Sequence, residues 1–270
     1  MNIIDAHIHF ADYEHFDQLA VEAGYRNDAE HVKAAFDTLG IAGAVVMGNR
    51  DLSLETHVYP EYLRYCIGLD SYNFTGEEDG AQVLRQVELH FQRNACVGLK
   101  LYPGYNTFYV YDPIYAPFYE LAARYDKPVA IHTGEVAGNW GLVKYSHPLT
   151  VDEVASAHPE TRFVLCHLGN PWMLDAAVVM NKNANVSADL SGFLRGKQDM
   201  KAFFINNKSY VEHIKMCLQY MQAWDRLMYG TDWPLANMEN SIEFVADLIP
   251  ARYHDMVFSE NARRIYGLDF

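Results

Sequence analysis

The sequence predicts an α/β protein, a single (β/α)8 barrel of TIM-barrel architecture, on three observations. Eight short apolar runs rich in β-branched residues, bounded by Gly, Pro, Asn or Asp, read as the buried strands of a parallel sheet. Segments with helical spacing separate most of them, and this alternation favours closure into a barrel with helices outside. No glycine-rich phosphate fingerprint follows the first run, where an open dinucleotide-binding sheet would place one.

The first run spans residues 3–9, and a helix at 28–39 leads into the second run at 41–47. The third run, 63–69, follows a connection that is short and broken by Pro60, so one unit between the second and third strands is degraded. A helix at 77–94, whose Glu77, Glu78 and Asp79 complement the positive end of a helix dipole, precedes the fourth run at 96–102. After a helix at 114–125 comes the fifth run, 128–132. The next helix, 150–157, opens on Thr150 and Glu153, a capping-box pair. The sixth run, 162–167, leads to a helix at 171–181 with Pro171 in its first turn, where a missing N–H forfeits nothing. The seventh run at 185–190, one helix at 199–222, the eighth run at 226–231 and a helix at 238–249 continue the pattern. A last helix, 259–266, takes Ser259 as N-cap and Gly267 as its stop. No linker, low-complexity tract or repeat divides residues 1–270, which read as one domain.

Half of the 270 residues are hydrophobic, which excludes a disordered chain. Lys and Arg total 21 against 35 acidic residues, and the net charge of −14 speaks against nucleic acid or an anionic membrane as partner. A small molecule is expected instead, with any anionic group met by local positive charge. Cys66, Cys96, Cys166 and Cys217 lack the spacing of a disulfide framework or zinc finger. The segment MNIIDAHIHF lacks the apolar core of a signal peptide, and no run approaches the roughly 18 residues of a membrane span. A reducing cytoplasmic location is the expectation.

In such a barrel the chemistry sits at the C-terminal ends of the strands. His7 and His9 end the first run, Lys100 lies on the fourth, His132 ends the fifth, His167 ends the sixth, and Asp232 follows the eighth. Residues two apart on a strand face the same way, so His7 and His9 point together into the mouth. Asp5 shares that side, as a hydrogen-bond partner or a buried structural acid. Imidazoles with a carboxylate suit zinc first, and also Mn, Co or Fe. By the same alternation Cys166 should face the helical layer. Arg50 and Arg195, just beyond the second and seventh runs, present forks that match a substrate carboxylate. Tyr102, Trp140, Trp172 and Trp233 also follow strands and read as loop-packing anchors.

The segments IDAHIHF, GLKLYPGYNTFYVYDPIYAPFYELAARYDKPVAIHTGE, FVLCHLGN, NVSADLSG, LMYGTDWP and SENARRIYGL carry a family likeness over essentially the whole chain. Together they resemble the amidohydrolase superfamily, in its amidohydrolase-related branch of metal-dependent TIM-barrel hydrolases and decarboxylases. The resemblance implies one divalent metal held by His7, His9, His132 and Asp232, with His167 beside the reacting water. It further implies that Asp232 takes a proton from that water and returns one to the leaving group, while His167 orients the water or steadies the oxyanion. Binuclear members of the superfamily bridge two metals with a carboxylated lysine on the fourth strand, but this branch is usually mononuclear. Lys100 is therefore read first as a substrate contact, second as such a bridge, and third as a structural ion pair. The implied reaction is hydrolysis of an amide, lactone or ester-like bond. A non-oxidative decarboxylase and a catalytically silent ligand-binding barrel stand as alternatives, and a homodimer is left open.

Overall fold

The computed structural model describes residues 2–70, 74–75 and 80–270. Its strands are β1 (Ile3–Ile8), β2 (Ile41–Met47), β3 (Leu63–Leu69), β4 (Cys96–Leu101), β5 (Val129–Ile131), β6 (Phe163–Leu165), β7 (Val186–Asp189) and β8 (Leu227–Met228). They neighbour one another in chain order, every pair parallel. Because β8 is short, the residues after it complete the ring. Ala6 N–H donates to the Tyr229 carbonyl and Asp232 N–H to the His7 carbonyl, each at 2.9 Å. The Asp5 carboxylate reinforces this seam, accepting the Thr231 N–H at 3.0 Å and the Thr231 hydroxyl at 2.7 Å.

The period of two along each strand divides the apolar residues between two cores. Val46, Val129, Ile131, Phe163 and Leu165 meet the helices. Val45, Met47, Ala130, Val164 and Met228 fill the interior, where Ala262, Ile265, Tyr266 and Leu268 of the C-terminal segment close one end. A packed floor leaves the other end, at the strand C-termini, as the place for a cleft.

The helices are α1 (Glu14–Glu22), α2 (Ala29–Leu39), α3 (Gly80–Phe91), α4 (Ala116–Arg124), α5 (Thr150–Ala157), α6 (Met173–Lys182), α7 (Met200–Asn206), α8 (Lys208–Met221), α9 (Met238–Leu248) and α10 (Asn261–Tyr266). No helix fills the connection between β2 and β3, the degraded unit that Pro60 implies. α1 escapes sequence reading because it buries only Ala20, leaving almost no apolar stripe to recognise. The helix expected at 199–222 breaks at Asn207, whose φ of −111° is not helical.

Three caps differ from expectation. Thr150 lies inside the first turn, and its hydroxyl donates to the His147 carbonyl at 2.7 Å instead of accepting a helix N–H. Pro171 stands before α6, across a cis peptide from Asn170, and the helix begins at Met173. Ser259 sits within a π-helical turn, Met256–Glu260, that runs directly into α10, so no new N-terminus forms there. Gly267 ends α10 as expected, with a φ of 64°. The Glu77, Glu78 and Asp79 cluster lies outside the described residues. Among the described residues no helix is long and apolar enough to cross a membrane.

A histidine pair fixes the β2–β3 connection. His57 is 1% exposed, its Nε2 donates to the Asp51 carbonyl at 2.8 Å, and its ring lies on Tyr65 with centroids 5.0 Å apart. His90 meets it edge-on at 4.8 Å. Burial pushes the His57 pKa down to about 4 and lowers that of His90. A folded-state pKa below the unfolded value near 6.5 means that this stability is complete above 6.5 and is lost as pH falls through 6.5 toward 4. Urea midpoints measured between pH 7 and 4 should therefore drop with acidification, and the drop should be shallower in His57→Phe. At the barrel floor, Ile265→Ala, at a site 3% exposed, should cost about 3 kcal/mol of unfolding free energy, read from the same titrations at neutral pH.

Candidate metal centre

Two histidines and an aspartate face one another across the closing seam. His7 Nδ1 donates to the Asp189 carboxylate at 2.9 Å, which leaves Nε2 unprotonated. That Nε2 lies 3.4 Å from Asp232 Oδ1, and His9 Nε2 lies 3.2 Å from the same oxygen. The His9 Nδ1 pairs with the side-chain oxygen of Asn49. Among the described residues, neither His7 Nε2 nor Asp232 Oδ1 has a hydrogen-bond partner, although both are buried. Two electron-pair donors buried face to face carry an uncompensated desolvation cost that a cation between them removes. The donor set thus fits a divalent metal.

Protonation states agree with that use. Burial pushes His7 down to about 4, and burial also lowers His132 and His167. Burial opposes the charge on Asp232, yet His167, His9 and His7 hold its carboxyl well below the usual range. Asp189 is likewise buried, and His7, His167 and Ser191 keep it ionised. Neutral imidazoles and ionised carboxylates are the forms that ligate metals.

Backbone in the left-handed region aims two of these groups. His167 has a φ of 61°, Leu168 of 44° and Asp232 of 65°. Such non-glycine conformations cost roughly 1–3 kcal/mol each and concentrate at functional sites. In β6, Phe163 and Leu165 face the helices while Val164 faces the interior. Cys166 keeps that alternation and lies inward with Val164, contrary to the helix-facing position expected of it, and accepts a hydrogen bond from Lys100 Nζ at 2.8 Å. His167 swings to the mouth, its backbone N–H donating to Asp189 at 2.9 Å and its Nδ1 lying 2.8 Å from the Ser191 hydroxyl. Gly192 is required beside it: a Cβ there would come within 2.7 Å of His167 Nδ1.

The structure brings His7, His167 and Asp232 together, with one donor atom of each within 4.8 Å of the others. His9 adjoins them through Asp232. His132 sits one ring away, 5.1 Å from His167 between centroids, and spends Nε2 on a 2.9 Å hydrogen bond with the Glu135 carbonyl. A cavity of about 590 Å³ opens above these groups. Lys100 and Arg195 line it, the first fully buried and the second at the rim, with Phe16, Tyr102, Tyr105 and Trp140 as aromatic walls. Arg50 does not reach it. Its guanidinium donates to the carbonyls of Thr56 and Phe10 and lies 4.6 Å from the Tyr59 ring, tying together the loops after β1 and β2.

Sequence reading passed over Asp189, Ser191 and Asn49. Asp189 carried a signal, since it ends a strand as the histidines do. Asn49 carried none, because only the fold brings the segment after β2 beside His9.

The family model described as Amidohydrolase matches residues 4–268. The fold is shared with a 2,6-dihydroxybenzoate decarboxylase from Rhizobium, at 17% identity, 100% coverage of both chains and a TM-score of 0.71. It is shared with a probable 2-pyrone-4,6-dicarboxylic acid hydrolase from Acinetobacter baumannii, solved with citric acid bound, at 15% identity, 99% coverage of this chain and 100% of the other, and a TM-score of 0.65. A third case is an amidohydrolase from Burkholderia multivorans with bound zinc, at 17% identity, 100% coverage of both chains and a TM-score of 0.65. No curated protein matches the sequence at a significant level.

If Asp189 orients His7 for a metal, Asp189→Asn should weaken zinc affinity about 10- to 100-fold in chelator competition, with the circular dichroism spectrum unchanged.

Proposed function

The chain belongs to the amidohydrolase family, and from that premise we propose that it is a metal-dependent hydrolase of an amide, lactone or ester-like bond in a small carboxylate-bearing substrate. The observation that carries this reading is the buried, unpartnered pair of His7 Nε2 and Asp232 Oδ1 at the foot of the cavity. His7, His9 and Asp232 would hold one divalent ion, zinc first, with His132 and His167 next to it. Such an ion supplies Lewis acidity, polarising a carbonyl and making water acidic enough to attack near neutral pH.

The protein's own groups then have separable tasks. Asp232 turns Oδ1 toward His7 and His9, which leaves Oδ2 to take a proton from water and pass one to the leaving group. Ser191 donates its hydroxyl hydrogen to ionised Asp189, so it accepts from His167 Nδ1–H. His167 therefore presents an unprotonated Nε2, suited to orienting a water rather than to donating to an oxyanion. Lys100 and Arg195 offer positive charge to a substrate carboxylate at the floor and at the rim.

Decarboxylation is the second reading, favoured by aromatic walls that suit an aryl acid beside Lys100. Turnover in ¹⁸O-labelled water separates the two. Hydrolysis should place one labelled oxygen in each product acid, whereas carbon dioxide released without incorporation supports decarboxylation. Asp232→Asn should stay folded and lose about 10²- to 10⁴-fold in turnover, and undiminished activity would remove it from proton transfer.

A further inference from the structure

The cleft has a second lobe, in which Glu135 and Asn170 have no role above. It holds about 100 Å³ and shares His132, His167, Asp232, Arg195 and Leu235, among others, with the larger cavity. Its remaining wall includes Glu135, Asn170, Gly192 and Leu194, with Arg195 at the border of the two spaces. The wall is built rather than loose. Glu135 N–H donates to the Asn170 carbonyl at 3.0 Å, and the Glu135 carbonyl accepts from His132 Nε2. Asn170 Oδ1 accepts the Tyr210 hydroxyl at 2.9 Å, so its amide NH₂ is left as a donor. Among the described residues, neither the Glu135 carboxylate nor the Arg195 guanidinium has an ion-pair or hydrogen-bond partner, and they do not pair with each other.

A carboxylate and a guanidinium set apart on one wall complement a ligand carrying both charges in reverse. The lobe is small and opens to solvent at Glu135 and Arg195, which are exposed, so it suits a compact polar group. Its position beside Asp232 and His167 is where a leaving group accepts its proton. Resting on the hydrolase reading, we propose that this lobe is a leaving-group subsite for a glycine-sized amino acid, so that the substrate is an N-acyl amino acid with its aromatic acyl group in the larger cavity. Arg195 and the Asn170 amide take the substrate carboxylate, and Glu135 accepts from nitrogen. In the reaction the acyl carbon–nitrogen bond breaks and a carbon–oxygen bond forms from water. Both protons of that water end on nitrogen, one carried through Asp232 and the second lost from the new carboxyl group, giving a carboxylate and an ammonium that Glu135 faces. Nothing is oxidised or reduced.

Benzoate and glycine, titrated singly and together into zinc-loaded protein by calorimetry, test the subsite without turnover. Both should bind, with glycine affinity unaffected by saturating benzoate. Glu135→Gln should weaken glycine about fivefold and leave benzoate unchanged. Competition between the two, absence of saturable glycine binding, or a Glu135→Gln protein that binds glycine normally would overturn the proposal. In parallel, N-benzoylglycine should be hydrolysed with a kcat/KM at least about tenfold above that of N-benzoylphenylalanine, whose side chain exceeds the lobe. Equal rates would overturn the size limit. No turnover of either, with both fragments bound independently, would overturn hydrolysis while upholding the lobe as an amino-acid site.

Discussion

The carboxylate of Asp189, buried at the end of β7, organises the groups around it. One oxygen takes His7 Nδ1–H, and the other takes the backbone N–H of His167 and the hydroxyl of Ser191. An isolated buried charge would cost several kcal/mol, so this acid persists only because each of its contacts donates to it. In return it sets two tautomers at once. His7 must present Nε2 to Asp232, and His167, through Ser191, must present Nε2 to the cleft. A single charge thus decides what β1 and β6 offer at the mouth.

The barrel supplies what this charge requires. The C-terminal segment packs Ile265, Tyr266 and Leu268 into the interior, which keeps water from the floor and confines solvent to the opposite face. The β1–β8 seam, fastened by Asp5 to Thr231, brings His7 within reach of Asp232. Left-handed backbone at His167 and Asp232 then turns both side chains toward the same point. The strain at these residues is offset by a sheet that over-determines their position, which is how such conformations survive in active sites.

Charge is distributed by the same logic. A net charge of −14 repels polyanions in bulk, while Lys100 at the floor and Arg195 at the rim give one cleft a local cationic character. Lys100 is fully buried with Cys166 as its acceptor, so its ammonium is fixed in place rather than free to sample solvent. Arg50, equally basic in the sequence, is consumed by loop carbonyls and contributes to architecture.

Much of this was legible in one dimension. Strands betray themselves by short β-branched runs, and strand ends in a barrel converge, so His7, His9, His132, His167 and Asp232 could be picked out by position alone. Alternation failed at His167: Cys166 lies inside in period with Val164, and left-handed backbone that no local pattern marks brings His167 to the mouth from the position after it. The cap at Thr150 failed because its hydroxyl bonds the His147 carbonyl, and that at Ser259 because the helical turn Met256–Glu260 already encloses it. The sequence by itself determined the barrel and the ring of polar strand ends, because periodicity and residue type are local properties. Only the tertiary structure decided that Asp189 and Asn49 back the two histidines, that Arg50 is spent on loops, and that Glu135 and Arg195 share a second lobe. Those outcomes depend on distances between residues far apart in the chain, which no local pattern encodes.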